Sequence, residues 1–256
     1  MLVELPPQQH ERLRQVFRGW DTRLHGCVEA IFSGAFAKVW VDDPDDPRAA
    51  LVLLDFWFVA GDATAPAAPD VARAAVGPGT VVTPPGEAWP DLLREASPGR
   101  VTERTRWAFS SPEAWDVERL RAYRDALPSG FTLTRITPDN VGAYIACEKA
   151  LLGTFPSAET LMARGVGYGV EREGRFVAGC SSFTLAGGKL EFEIQTNAGW
   201  RRHGLATAAG AAMVLHCLDH GLEPCWDAHN EMSASLADKL GFTDKSPYTV
   251  CVIEAP

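Results

Sequence analysis

The stretch Lys189–Ala211, KLEFEIQTNAGWRRHGLATAAGA, contains a predicted strand, a short loop and the start of a helix. Residues 189–196 alternate between polar and apolar side chains and are rich in residues that favour strands. Asn197–Gly199 interrupts this pattern, and an alanine-rich helix is predicted to follow and to run to about His220. A helix that begins directly after a strand presents free backbone N–H groups and the positive end of its dipole. The stretch therefore predicts an anion site at the strand end.

The loop before this helix has the composition expected of a pyrophosphate site. Two guanidinium groups, Arg201 and Arg202, add positive charge and hydrogen-bond donors. Gly204 and Ala206 keep the surface low, so a phosphate can approach the backbone N–H groups closely. A turn with only a structural role is the alternative interpretation of this short segment taken alone.

Two motifs in their order along the chain resemble a known family. Arg201-x-x-Gly204-x-Ala206 after a strand resembles the acyl-CoA loop of the GNAT superfamily of N-acyltransferases. The segment 230–242, Asn-x-x-Ser-x-x-Leu-x-x-x-Leu-Gly-Phe, resembles that superfamily's fifth-strand and fourth-helix signature. The resemblance covers residues 130–256, and the sequence PCWDAHN at 224–230 is similar to the zwittermicin-type antibiotic acetyltransferase branch. It implies an α+β fold with a mixed sheet.

The resemblance also implies a chemistry, in which acetyl-CoA is the co-substrate and the acyl group passes directly to an amine. The CoA phosphates are expected on the loop, and the pantetheine arm along the end of the fourth strand. Asn230 matches a family asparagine that contacts the arm, although a plain helix cap is an equally good role for it. The residues expected to bind the co-substrate are Ile194, Gln195, Thr196, Arg201, Arg202, His203, Gly204, Leu205, Ala206, Thr207, Asn230 and Ser233.

Two carboxylates on the predicted central strand are the candidates for the catalytic base. Glu191 and Glu193 are two residues apart, so both side chains lie on one face of the strand. A carboxylate in the interior of a sheet is costly unless it is paired or functional, and a raised pKa would suit deprotonation of an amine. Structural carboxylates are the alternative, and a bulge could turn either one away. Asp227 and His229 are the reserve candidates.

One position departs from the family pattern. The family often has a tyrosine after the leucine of the fourth helix, and it protonates the leaving thiolate. Ala237 occupies that position here. Either the thiolate leaves without help or another group supplies the proton.

Composition excludes several functional classes. The net charge of -9 argues against a nucleic-acid partner. It is compatible with a cationic acceptor such as an amine, although solubility alone is a sufficient reason for it. The six cysteines show no metal-ligand spacing, so no metal is expected, and buried thiols in a reducing compartment are predicted. Residues 1–15 lack the apolar core of a secretion signal, and no apolar run is long enough to span a membrane. A cytoplasmic location is therefore expected.

The predicted domain boundary lies at Leu127–Gly130, LPSG, which has linker composition. The expected domains are residues 1–128, an N-terminal α+β domain, and residues 129–256, the acetyltransferase domain. The order of elements in the first half weakly echoes the second half, but residues 60–80 lack a phosphate loop. A degenerate GNAT-like half that does not bind CoA and an unrelated α+β domain both remain open.

Two functions from different classes follow. The first is an acetyl-CoA-dependent N-acetyltransferase that acts on a primary amine of a small molecule. The second is a non-catalytic acyl-CoA-binding sensor or interaction module. Whether the chain forms a homodimer is left open by the sequence.

Overall fold

A computed structural model describes residues 1–18, 20 and 24–255 as an α+β protein with mixed β-sheet. Its contacts divide the chain into two compact units. The first contains Met1–Trp107 and the C-terminal residues from Ser246 onwards, and the second contains Ala108–Lys245.

The first unit begins with a short strand and a 3-10 segment at Pro7–Gln15. Its strands and helices are β1 (Val3–Leu5), α1 (His25–Phe32), β2 (Lys38–Val41), β3 (Ala49–Leu53), β4 (Trp57–Gly61), α2 (Ala68–Ala75), β5 (Val81–Thr83) and α3 (Ala88–Ala96). The next strand, β6 (Val101–Ser110), crosses the unit boundary in the sequence.

The second unit contains five further helices and the remaining strands. They are α4 (Val117–Asp125), β7 (Phe131–Arg135), α5 (Val141–Cys147), α6 (Ala158–Arg164), β8 (Gly167–Arg172), β9 (Arg175–Ala186), β10 (Lys189–Thr196), α7 (Leu205–Asp219), β11 (Glu223–Ala228) and α8 (Glu231–Leu240). The last strand, β12 (Thr243–Ile253), starts in this unit and ends in the first.

The strands of the second unit follow the order β7-β8-β9-β10-β11. The first three pairs are antiparallel, and β10 and β11 are parallel. A parallel pair needs a long crossover connection, which α7 provides. This helix is apolar around its whole circumference, as expected of a helix that is buried on all sides, and almost every residue from Leu205 to Cys217 is buried. It packs against the sheet and against α4 and α8.

The first unit has the same arrangement of its first five strands. β1-β2, β2-β3 and β3-β4 are antiparallel, and β4-β5 is parallel with α2 in the crossover. Helices α2 and α3 cover this sheet, and Trp89 of α3 is buried and donates from Nε1 to the Gly61 carbonyl at 3.1 Å.

The compact units differ from the division at residue 128 that the sequence suggests. Residues 126–130 do connect α4 to β7, as a linker should. However, α4 packs against α7, so the helix before the linker belongs to the second unit. Cys251 of β12 pairs with Val82 of β5, so the end of the chain belongs to the first unit. Linker composition marks the connection between α4 and β7 here, and the packing of α4 against α7 decides to which unit the helix belongs.

The glycine-rich segment at 165–169 serves packing. Gly169 of β8 pairs with Gly179 of β9, and the fully buried Tyr144 of α5 lies over them. A methyl group on Gly179 would come within 2.3 Å of the Tyr144 ring and 2.5 Å of its hydroxyl oxygen. The two glycines therefore make the space that the tyrosine fills.

Gly179→Ala is expected to lower the free energy of unfolding by about 1–3 kcal/mol, because the added methyl group overpacks the Tyr144 site. Gly142→Ala is the matched control in the same helix as Tyr144. Gly142 is exposed, and a methyl group added there would meet no atom of the other described elements within 4 Å. This change should therefore stabilise by up to about 1 kcal/mol. Urea unfolding of both variants checks this. Equal midpoints would show that the glycine pair does not accommodate Tyr144.

Candidate active site

The parallel strands β10 and β11 separate halfway along β10. Their register covers Lys189–Glu191 of β10, which pairs with Glu223–Cys225 of β11. On its other side β10 stays paired with β9 as far as Thr196. From Phe192 onwards, one edge of β10 is therefore not paired with its parallel neighbour. Such an edge presents backbone donors and acceptors that an extended ligand can pair with.

A bulge lies at the same level on the other side of β10. The register with β9 shifts between Glu191 and Phe192, and Phe183 is the extra residue on β9. The Phe183 carbonyl accepts hydrogen bonds from the Thr154 backbone N–H at 3.1 Å and the Thr154 hydroxyl at 2.7 Å. The bulge increases the local twist of the strand pair. At the level of Glu191 and Phe192, the register with β9 therefore shifts and the pairing with β11 ends.

The two predicted carboxylates differ in their surroundings. Glu191 is 3% exposed, and its Oε1 accepts a hydrogen bond from the Asp227 backbone N–H of β11 at 2.8 Å. Glu193 is half-buried and its Oε1 accepts from Gln195 Nε2 at 2.7 Å. Since the extra residue of the bulge belongs to β9, the alternation along β10 keeps both carboxylates on one face.

The loop between β10 and α7 has an unusual backbone. A 3-10 turn at Ala198–Trp200 is followed by Arg202 with φ of 65° and Gly204 with φ of 79°. Arg201 before them is extended, with φ of -65° and ψ of 155°, and α7 begins directly after Gly204. The chain therefore turns sharply into a helix start, where free backbone N–H groups can bind an anion. Among the residues that the structure describes, no side chain caps the start of α7, and residues 201–204 are exposed. The predicted phosphate loop thus has open N–H groups.

An aromatic cluster holds this loop against the sheet. Trp200 packs edge-on against Phe131 of β7, with ring centroids 5.5 Å apart. The Arg172 guanidinium lies 4.9 Å from the centroid of the Trp200 ring and 4.8 Å from that of Phe131. His203 Nδ1 is 2.9 Å from the Arg201 carbonyl, so it lies back on its own turn. The cluster is a contribution from β7 and β8 that the loop motif alone does not reveal.

Two further residues near the start of α7 bear on ligand binding. The Thr196 hydroxyl at the end of β10 is buried and has no hydrogen-bond partner among the described residues. Lys239 of α8 donates from Nζ to the Thr207 hydroxyl in the first turn of α7 at 3.3 Å. The ammonium group adds positive charge there. Lys239 lies 32 residues from Thr207 in the sequence, so the loop motif does not include it.

Asn230 caps α8. Its Oδ1 accepts from the Ser233 backbone N–H at 2.9 Å, and the Ser233 hydroxyl accepts from Trp226 Nε1 at 3.2 Å. Asn230 therefore has the structural role of a helix cap. The reserve candidates lie nearby: Asp227 is half-buried on β11, and His229 follows the strand and is exposed.

Ala237 is fully buried on α8, and no tyrosine is present in that helix. Tyr144 is buried beneath α5, and burial raises its pKa well above the usual value. Tyr123 and Tyr168 lie on α4 and β8, and Tyr248 lies in the part of β12 that belongs to the first unit.

Among the described residues, no group of three or more histidine, cysteine, aspartate or glutamate side chains is arranged to hold a metal ion. Within the same residues, no helix is long and apolar enough to cross a membrane.

The family model described as GNAT acetyltransferase matches residues 14–251. The chain belongs to the GNAT acetyltransferase family. The match extends well before residue 130, where the motif resemblance begins, so the first unit is part of the family match.

Individual relatives agree with this assignment. A GCN5-related N-acetyltransferase-like protein from Streptococcus suis has a TM-score of 0.84 and 29% identity, over 97% of this chain and 100% of that one. The uncharacterized N-acetyltransferase YdfB of Bacillus subtilis is 28% identical over 167 residues, which are 64% of this chain and 62% of YdfB. This chain therefore matches less than two thirds of that curated relative. A tandem GNAT protein from the clavulanic acid biosynthesis pathway shares the fold, with a TM-score of 0.53 and 17% identity over 100% of this chain and 99% of that one.

Gly204→Asp should weaken CoA binding by more than about tenfold relative to Gly204→Asn. Both side chains tolerate the left-handed backbone and can cap the helix, so the two variants differ only in charge. The aspartate would place a negative charge where the phosphates are expected. Isothermal titration with CoA measures the two dissociation constants. Equal dissociation constants for the two variants would show that the CoA phosphates do not bind this loop.

Proposed function

We propose that the chain is an acetyl-CoA-dependent N-acetyltransferase that transfers the acetyl group directly to a primary amine of a small molecule. The observation that carries this proposal is the separation of β10 from β11 beside an open, left-handed loop at the start of α7. In a member of the GNAT acetyltransferase family, this geometry provides an edge for an extended arm next to an anion site.

The proposed co-substrate site follows the sequence assignment. The phosphates bind the backbone N–H groups from Arg202 to Thr207, with charge from Arg201 and Arg202. The arm lies along β10, where Thr196 offers a buried hydroxyl without a partner among the described residues. The residues proposed to line this site are Ile194, Gln195, Thr196, Arg201, Arg202, His203, Gly204, Leu205, Ala206, Thr207, Asn230 and Ser233. A backbone N–H at the β10 edge would polarise the thioester oxygen.

Of the two candidate bases that the sequence offers, Glu191 and Glu193, we propose Glu193 as the base. A general base must reach the proton of the amine directly or through one water. Glu193 is half-buried and so can meet a ligand, whereas Glu191 is almost fully buried against β11.

Direct transfer is supported by the state of the thiols. Cys147 lies near the end of β10, with Sγ 3.5 Å from Asn197 Oδ1. Partial burial raises the pKa of this thiol, and burial also raises the pKa of Cys217 to about 12 and of Cys251 to about 11. A thiol of raised pKa is a poor nucleophile, so an acyl-cysteine intermediate is disfavoured. The six free cysteines also suit a reducing compartment such as the cytoplasm.

The first unit is proposed to be a degenerate GNAT-like half. Its five strands have the order and directions of those in the second unit. The loop after β4, however, contains Asp62, which accepts hydrogen bonds from the backbone N–H and hydroxyl of Thr64. These bonds lower the pKa of Asp62, so this loop carries a carboxylate, whereas the loop after β10 carries Arg201 and Arg202. This half is therefore not expected to bind CoA.

Two finer assignments remain predictions. The similarity of residues 224–230 to the zwittermicin-type branch suggests an antibiotic-like amine as acceptor. A homodimer is compatible with the chain, and gel filtration would decide between it and a monomer.

A non-catalytic acyl-CoA sensor is the second candidate. Ala237 favours it, because the position of the usual proton donor is a buried methyl group. Binding of acetyl-CoA without any acetylated product would support the sensor.

A panel of small amines incubated with acetyl-CoA and analysed by mass spectrometry tests the enzyme. We expect an acetylated product, and Glu193→Gln should lower kcat by about 10²–10⁴-fold while acetyl-CoA still binds. Glu118→Gln, on the exposed surface of α4, is the matched control and should leave kcat unchanged. Full activity of Glu193→Gln would place the base elsewhere, with Asp227 and His229 the next positions to replace.

The pH dependence should lack an alkaline limb. A tyrosine acid ionises near a pKa of about 10 and would lower the rate above it, but Ala237 cannot ionise. The rate at saturating acetyl-CoA should therefore rise with pH through the ionisations of the base and the amine and then level. A bell-shaped profile within the pH range of folded protein would reveal a proton donor outside α8.

A further inference from the structure

We propose that Glu191 is a positioning residue whose carboxylate holds β11 away from the ligand-binding edge of β10. The expected effect on CoA binding rests on the proposed function. The hydrogen bond between Glu191 and Asp227 is a feature of the fold and does not depend on that function. It assigns the two carboxylates of β10 different roles.

The register identifies the hydrogen bond that Glu191 replaces. The Glu223 backbone N–H of β11 donates to the Gly188 carbonyl at 2.8 Å. Donors that face one neighbour recur every second residue, so the N–H groups of Cys225 and Asp227 also face β10. In a regular parallel ladder the Asp227 N–H would reach the carbonyl of Phe192. Instead it donates to Glu191 Oε1 at 2.8 Å.

The carboxylate thus takes the place of a backbone acceptor at the first step where the strands separate. A buried N–H group without an acceptor would be costly, and a carboxylate is a strong acceptor for it. The β11 donor is satisfied, while the Phe192 carbonyl is not drawn into a ladder with β11. The edge of β10 beyond Glu191 can then pair with a bound arm.

The surroundings of Glu191 fit positioning better than proton transfer. Its side chain is 3% exposed and its oxygen is engaged by the backbone of the next strand. Glu193, two residues on, is more exposed and accepts from Gln195, a flexible side-chain donor. A base must change partners during turnover, and a carboxylate that holds two strands should keep its partner.

Two conservative variants distinguish a positioning role of Glu191 from a role as base. A positioning role predicts the larger defect in Glu191→Asp, and a base predicts it in Glu191→Gln. Glu191→Gln keeps the length of the side chain and an oxygen acceptor but cannot act as a base. Glu191→Asp keeps the charge and the basicity but is one methylene shorter, so it withdraws the oxygen from Asp227.

For a positioning residue, Glu191→Gln should keep the dissociation constant for acetyl-CoA and kcat within about threefold of the wild type, because the acceptor remains. Glu191→Asp should weaken acetyl-CoA binding by about tenfold or more and should raise KM for acetyl-CoA more than it lowers kcat. The pH dependence of kcat should be unchanged in Glu191→Gln.

Hydrogen exchange of the Asp227 amide, measured by NMR without ligand, reports the contact directly. Protection should persist in Glu191→Gln and fall in Glu191→Asp. The inference is overturned if exchange is equal in the two variants. It is also overturned if Glu191→Gln loses kcat by about 10²-fold or more with unchanged acetyl-CoA binding, because this is the result for a base.

The same experiments separate failure of the inference from failure of the proposed function. If the wild-type protein does not bind acetyl-CoA in calorimetry, the proposed function fails, and the exchange of the Asp227 amide still tests the Glu191 contact. If the wild type binds acetyl-CoA and Glu191→Asp binds it equally well, the inference alone is wrong.

Discussion

The separation of β10 from β11 is the constraint on which the candidate site depends. Two parallel strands normally satisfy each other's backbone groups along their full length, and a gap between them leaves donors and acceptors without partners. Here the β11 donor is satisfied by the Glu191 carboxylate, and the extra carbonyl of the β9 bulge is satisfied by Thr154. The Asp227 N–H and the Phe183 carbonyl therefore keep hydrogen-bond partners at the level where the sheet opens.

Helix α7 converts this opening into a site with charge. It is buried on every side by small and apolar residues, so its axis is set by packing against the sheet, α4 and α8. Its start is correspondingly fixed, and the left-handed residues Arg202 and Gly204 bring the chain from β10 to it in a short loop. The Arg172 and Trp200 contacts hold that loop from the outside. A rigid helix start and an open strand edge are together what an elongated anionic ligand requires.

The two units have one strand order and different loops. In both, three antiparallel pairs are followed by a parallel pair with a helical crossover. The crossover helices differ in length, since α2 has 8 residues and α7 has 15. The loop after β4 presents Asp62 and the loop after β10 presents Arg201 and Arg202. The shared order concerns backbone packing, whereas the ligand chemistry depends on a few loop side chains.

Much of the second unit can be predicted from the sequence, because the patterns that specify its elements lie within short segments. The alternation of residues 189–196 predicted β10 with the bounds that the structure has, and the alanine-rich run after Asn197–Gly199 predicted the helix that follows it. The family could also be predicted from the sequence, since its loop and cap motifs are short and contiguous. The extent of the family match could not be predicted, because the first unit carries no such motif.

What the tertiary structure alone decided involves residues far apart in the sequence. Helix α4 belongs to the second unit because it packs against α7. The end of the last strand belongs to the first unit because it pairs with β5. Lys239 reaches Thr207, and Glu191 reaches Asp227, over 32 and 36 residues. The sequence by itself determined which side chains could form strands, turns and anion sites, because these preferences act between neighbours. Only the fold could distinguish the two carboxylates of β10, because their difference is which strand each one meets.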